Sequence, residues 1–259
     1  MHQPDLIVLN ADIVTLDPLS PRVEALAAHD GKVTALGTTA EIRALAGPST
    51  HIVDAGGRLV LPGFQDTHIH LQDSGYHYGM TANLDDARSI EELQAILSAF
   101  AAGKPGDGWV NGVGWYTGIF TDHNLDRNVL DAAVPDRPCF ILASDGHNAC
   151  LNTRAIEALG LLRGTADPFN GHFVLDGTGA PTGMLHESAV DWATDRMPAV
   201  TDADYADGVR YGQALCNRHG ITGVLDALVE ERHARVYRAL AEAGELTVRI
   251  CATAKVFPE

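Results

Sequence analysis

The segment from residue 221 onward restricts the fold more than any other. "ITGVLDAL" at 221–228 is a short apolar strand. The stretch from about Glu230 to Ala243 reads as a helix closed by Gly244, and "LTVRICATA" at 246–254 is a second strand. A β-α-β unit makes its two strands parallel and joins them by a right-handed crossover. A further helix precedes the unit. Thr201 with Asp204 opens it, Tyr205, Val209, Gly212 and Cys216 form its seam, and Gly220 occupies the position after its end.

The rest of the chain is organised differently. Residues 5–60 read as short strands joined by tight turns, with Asp30-Gly31 as a hairpin signal and Gly56-Gly57 as a second turn, which predicts a small antiparallel sheet. Ser89 and Glu92 form a capping box before a helix whose face is Ile90, Leu93, Ile96, Leu97 and Phe100. Residues 104–200 are irregular and rich in Gly, Pro and Asp. One clear strand, "CFILAS", and one short helix, "TRAIEALG", stand out there. The glycine-rich "GDGWVNGVGWYTG" lacks the third glycine and the strand–helix setting of a dinucleotide-binding loop.

Composition removes several function classes. The net charge is 18 minus 34, or −16, with no basic patch for nucleic acid or an anionic membrane. No apolar run approaches a membrane span, and the N-terminus lacks the basic and apolar regions of a signal peptide. Cys139, Cys150, Cys216 and Cys251 are far apart with no C-x-x-C pair, so they read as reduced thiols of a cytoplasmic protein.

One motif carries chemistry. In "LPGFQDTHIHL", residues 61–71, strand alternation puts His68 and His70 on one face with Asp66, while Ile69 points the other way. Two imidazoles converging beyond a strand end suit zinc or a similar metal. By itself an H-x-H pair is more often an inert feature of a surface strand. A cupin site would need a glutamate within the next few residues, and "LQDSGYHYG" has none.

The surroundings change that balance. "PGFQDTHIHL" resembles the P-G-F-I-D-x-H-x-H signature of the amidohydrolase superfamily, and "IVDAGGRLVLPGF" resembles its lead-in to barrel strand 1. "DRPCFILASDGHNACLNTRAIEALGL" and "GAPTGMLHESA" resemble segments of the branch that includes N-substituted formamide deformylase, and "HGITGVLDA" resembles the second barrel strand. The resemblance covers most of residues 5–255. It implies an α/β fold: a partial TIM-like (β/α) barrel of three strands, an N-terminal antiparallel β-sandwich segment, and a large α+β insertion after barrel strand 1. The implied segments are 1–60, 61–75, 76–200 and 201–259. It further implies a hydrolase of amide-like C–N bonds, with His68 and His70 holding one or two divalent metals, zinc foremost. Such a metal acidifies a bound water and polarises the scissile carbonyl.

The same resemblance, and for Asp226 and Trp115 their positions alone, nominate other residues. Glu187 in "GMLHESA" is a candidate catalytic group and metal ligand, against a solvated glutamate at a helix start; His186 beside it reads as structural. Asp145 and His147 in "SDGHN" are candidate catalytic and substrate-binding residues, against an ordinary turn. Asp226 is a candidate substrate contact or a turn carboxylate, and Trp115 a pocket wall or a packing residue. Lys255 in "TAKVFPE" is a candidate metal ligand, against a solvated lysine. The expected partner is a small-molecule substrate, not nucleic acid or membrane. Three parallel strands do not close a barrel, and the family's later ligands would follow residue 259. The chain is therefore expected to be the N-terminal half of a longer enzyme, or to need a homo-oligomer or a C-terminal half. The alternative is a truncated or degenerate relative that serves as a scaffold without activity of its own.

Overall fold

The computed structural model describes residues 3–119 and 124–254, and the chain divides into two compact units, Met1–Phe64 and Gln65–Glu259. It is a mixed α/β protein. No helix among the described residues is long and apolar enough to cross a membrane.

The first unit contains β1 (Leu6–Leu9), β2 (Asp12–Val14), β3 (Arg22–Val23), β4 (Ala25–His29), β5 (Lys32–Gly37), α1 (Thr39–Arg43), β6 (His51–Asp54) and β7 (Leu59–Val60). Two sheets form, ordered β5-β4-β1-β6 and β3-β2-β7. Alternation in β1 buries Ile7 and Leu9 against Ala25, Ala27 and Ile42. Asp30 and Gly31, at φ 51° and 69°, make the tight β4–β5 hairpin. The expectation of an antiparallel segment is corrected in one respect: β6 pairs parallel with β1, and β7 pairs parallel with β2. Gly56 and Gly57, at φ 57° and 81°, do not close a hairpin; they carry the chain from one sheet to the other, with the Gly57 N–H donating to Asn10 O.

The second unit begins along β8 (Phe64–Ile69). It continues through α2 (Leu71–Met80), β9 (Ala82–Asn83), α3 (Ile90–Gly103), β10 (Val110–Trp115), α4 (Arg127–Ala133), β11 (Cys139–Ala143), β12 (Asn148–Leu151) and α5 (Thr153–Leu159). Then come β13 (Gly171–Leu175), β14 (Pro181–Glu187), α6 (Ser188–Thr194), α7 (Asp202–Arg218), β15 (Ile221–Val229), α8 (Glu231–Glu242) and β16 (Arg249–Ala254). β15 and β16 pair parallel, with Val224 opposite Ile250, and β8 is the other neighbour of β15. Between β8 and β15 in sequence lies a six-stranded sheet, β13-β14-β12-β11-β10-β9.

That sheet corrects the reading of residues 104–200 as mostly irregular. "CFILAS" is β11, parallel to β10 and antiparallel to β12. Its partners escape notice because they are short and their alternation is interrupted, as in "VNGVGW" of β10. Their burial comes from long-range packing around Leu84, Leu93, Leu97, Ile141 and Cys150.

Helix α2 has no sequence signature: no side-chain cap, two glycines, and little apolar periodicity. It forms because it packs on α7 at backbone distance. A methyl on Gly75 would sit 2.1 Å from Gly208 O, and one on Gly208 would sit 2.6 Å from Tyr76 N. Helix α7 itself starts where expected, with Thr201 and Asp204 capping reciprocally. Because backbone rather than a flexible side chain blocks the space, Gly208→Ala should lower stability by about 1–3 kcal/mol. Urea denaturation followed by circular dichroism reads this, and an unchanged midpoint would mean the helices are not in backbone contact.

Candidate metal centre

Strand β8 delivers the histidine pair. His68 is exposed on the strand, and its N–H donates to Asp66 Oδ1 at 3.0 Å. His70, half-buried, is the first residue past β8 and the N-cap of α2. The two rings lie with centroids 5.4 Å apart at 85°. With metal–nitrogen bonds of about 2.0–2.1 Å and tetrahedral angles, two imidazoles sharing one ion have centroids about 5 Å apart. His70 Nδ1 is buried without a hydrogen-bond partner among the described residues, an arrangement that protein interiors normally avoid. Both observations fit an imidazole pair that binds a metal ion.

A buried carboxylate fixes the end of this strand. Asp226, in β15 and only 3% exposed, accepts from Leu71 N–H at 3.2 Å, the Tyr237 hydroxyl at 2.5 Å and Leu228 N–H at 3.3 Å. It thereby supplies the cap that α2 lacks locally and ties the residue after His70 to β15 and α8. Burial first, and then the bond to Asp226, push the Tyr237 hydroxyl pKa well up, so Tyr237 serves as a donor. Gln72 adds a second tie, its Nε2 donating to His233 O at 2.8 Å. Asp226 is thus not the turn carboxylate of the sequence reading; its oxygens organise the β8–α2 joint. Tyr237 and Gln72 carried no sequence signal of their own.

Glu187, Asp145 and His147 gather at one end of the six-stranded sheet. Glu187 Oε2 lies 3.1 Å from His147 Nδ1, and Glu187 N–H donates to His147 O at 2.8 Å. Both side chains are more than half exposed, so the pair adds little stability. Asp145 accepts from the N–H groups of His147 and Asn148 at 2.8 and 3.1 Å and from Asn148 Nδ2 at 2.6 Å. Partial burial works to raise its pKa, but these hydrogen bonds and the His147 charge together outweigh it and hold the carboxyl below its usual range. His186 is held by Asn148 and stacks on His172 at 6.5 Å. Burial first, then the His172 charge, push its pKa down.

Glu187 also stands at φ 52° and ψ −128°, a backbone region that a non-glycine residue enters only under strain. Glu187 is not brought together with His68 and His70 as a ligand set: among the described residues no group of three or more His, Cys, Asp or Glu side chains could hold a metal ion. Trp115, considered as a pocket wall, is 1% exposed inside a core cluster with Leu125 and Ile141, which makes it a packing residue. Lys255 lies outside the described residues.

Comparison with known proteins adds to this geometry. Residues 51–258 match the amidohydrolase family. N-substituted formamide deformylase of Arthrobacter pascens is 27% identical over 252 residues, 93% of this chain and 46% of that protein. The crystal structure of an uncharacterized metal-dependent hydrolase from Pyrococcus horikoshii OT3 aligns with a TM-score of 0.74 at 26% identity, over 96% of this chain and 48% of that one. A second such hydrolase, from Pyrococcus furiosus, aligns with a TM-score of 0.72 at 24% identity over 96% and 50%. The chain spans about half the length of these relatives.

Two outcomes test the geometry. Asp226→Ala strips the remote cap from α2 and leaves the Tyr237 hydroxyl unmet, which should cost about 2–4 kcal/mol in thermal or urea unfolding. Glu187→Gly relieves the backbone and should raise stability by about 1 kcal/mol. A loss of stability in the second variant would show that the strain is absent.

Proposed function

The chain belongs to the amidohydrolase family, and from that premise we propose that it carries part of a divalent-metal centre for hydrolysis of amide-type C–N bonds. The observation that carries the reading is the His68–His70 pair: two imidazoles at the spacing of shared ligands, one with a buried nitrogen that has no other partner. Similarity to a formamide deformylase and to a metal-dependent hydrolase supports the same class of reaction.

In this reading His68 and His70 hold the ion, zinc foremost. A bound divalent metal supplies Lewis acidity, acidifying water and polarising the amide carbonyl. Asp226 orients His70 indirectly, by fixing the N–H of the next residue. Asp145, held ionised, keeps His147 and Asn148 in place. Glu187 and His147 can exchange a proton across their 3.1 Å contact, and the strained backbone at Glu187 supports a substrate-facing role for them. The β16-β15-β8 sheet is read as the first three strands of a barrel, with β8 as strand 1. A catalytic zinc commonly has three protein ligands. The remaining ligands are therefore assigned to groups outside the described residues, including Lys255, a second copy, or a C-terminal half. The four free thiols support a reducing, cytoplasmic setting.

Metal analysis of the purified protein tests the reading, alongside release of formate or amine from N-substituted formamides and cyclic amides. The His68→Ala/His70→Ala variant should bind zinc on the order of a hundredfold more weakly than the parent and lose any turnover the parent shows. Equal zinc retention by both proteins would overturn the assignment.

A further inference from the structure

The second unit contains a cavity of about 600 Å³ that His68 and His70 do not line. Tyr76 of α2, Asn111 of β10, Phe140 and Leu142 of β11, Tyr205 of α7 and Arg232 of α8 form much of its wall. Arg232 donates to Val200 O at 3.1 Å and to the Tyr205 hydroxyl at 3.2 Å, and its guanidinium lies 4.7 Å over the Tyr205 ring. Neither acceptor is anionic, and this half-buried cation, which lines the cavity, has no carboxylate partner among the described residues.

Across the aromatic wall the polarity reverses. The Tyr205 and Tyr76 rings are 5.9 Å apart, and Asn111 lines the same space. Asn111 Oδ1, buried and lining the same space, has no donor among the described residues. Asp191 and Asp195 of the α6 region add two further acceptors. The cavity thus presents a fork of N–H donors, a set of acceptors, and an apolar strip formed by Phe140 and Leu142. A guanidinium fork matches a carboxylate. The two aspartates oppose a ligand of high negative charge such as phosphate and favour one with an N–H or ammonium group.

We propose that this cavity binds a small α-amino carboxylate with an apolar side chain, either free or N-acylated. The carboxylate meets Arg232, the nitrogen meets Asn111 Oδ1 or the aspartates, and the side chain lies along Phe140 and Leu142. The site is separate from the histidine pair and stands whether or not that pair binds metal.

The test is titration of the purified chain with L-leucine, N-acetyl-L-leucine and N-acetyl-L-leucinamide, followed by calorimetry and ligand-observed NMR. Either carboxylate should bind. Tighter binding of leucine would identify the free amino acid as the form taken, and tighter binding of N-acetyl-leucine the acylated form. Loss of the carboxylate in the amide, or of the cation in Arg232→Gln, should weaken binding roughly tenfold to a hundredfold. His68→Ala/His70→Ala should bind as the parent does. The amide arm needs no variant, so a folding defect in Arg232→Gln leaves the comparison intact. The proposal falls if neither carboxylate binds at about 10 mM, a concentration that detects millimolar sites. It also falls if the amide binds as well as the acid.

Discussion

A carboxylate buried to 3% exposure has to be met by hydrogen-bond donors, because an ionised group away from water is costly to leave unpaired. Asp226 is met by donors from three parts of the second unit: the start of α2, the side chain of Tyr237 on α8, and its own strand two residues on. Among the described residues Asp226 forms no ion pair. The bond to Leu71 fixes where β8 stops and α2 begins, and His70 is the residue at that junction. The geometry of the histidine pair therefore depends on a residue that follows it by more than 150 positions.

Helix α2 transmits this constraint to the rest of the unit. Its backbone meets α7 through Gly75 and Gly208, its second residue is tied to α8 through Gln72, and its last carbonyl accepts from Lys104 Nζ at 2.6 Å. A helix with weak intrinsic propensity is thus held by packing. Its far face, with Tyr76, forms one side of the cavity that contains Arg232. The same short helix borders both the His68–His70 pair and this cavity.

The polar groups are organised on contrasting physical terms. At the histidine pair, His70 Nδ1 is buried without a hydrogen-bond partner among the described residues. Around Glu187 the side chains are exposed, mutually hydrogen-bonded and carried on a strained backbone. Strain at an exposed position does nothing for stability, and it is commonly retained where a side chain must be aimed. The described residues do not join the two groups in one ligand set.

What could be read directly from the sequence was governed by local rules. The Thr201–Asp204 capping box, the Ser89 cap on Glu92 N–H (without the reciprocal half of the box), the Asp30-Gly31 hairpin and the parallel β-α-β unit each follow from a few neighbouring residues, and each is present. The H-x-H motif and its surroundings were enough to indicate the family. Tertiary structure decided the rest. Helix α2 exists because two glycines let backbones touch. The strands β10, β13 and β14, short and carrying glycines, are buried through partners distant in sequence. Asp226, read as a substrate contact or a turn carboxylate, is a buried cap because Leu71 and Tyr237 converge on it, while the packing reading of Trp115 holds because Leu125 and Ile141 enclose it. These outcomes depend on which distant groups meet, and neither spacing nor composition encodes that at the level of a single segment.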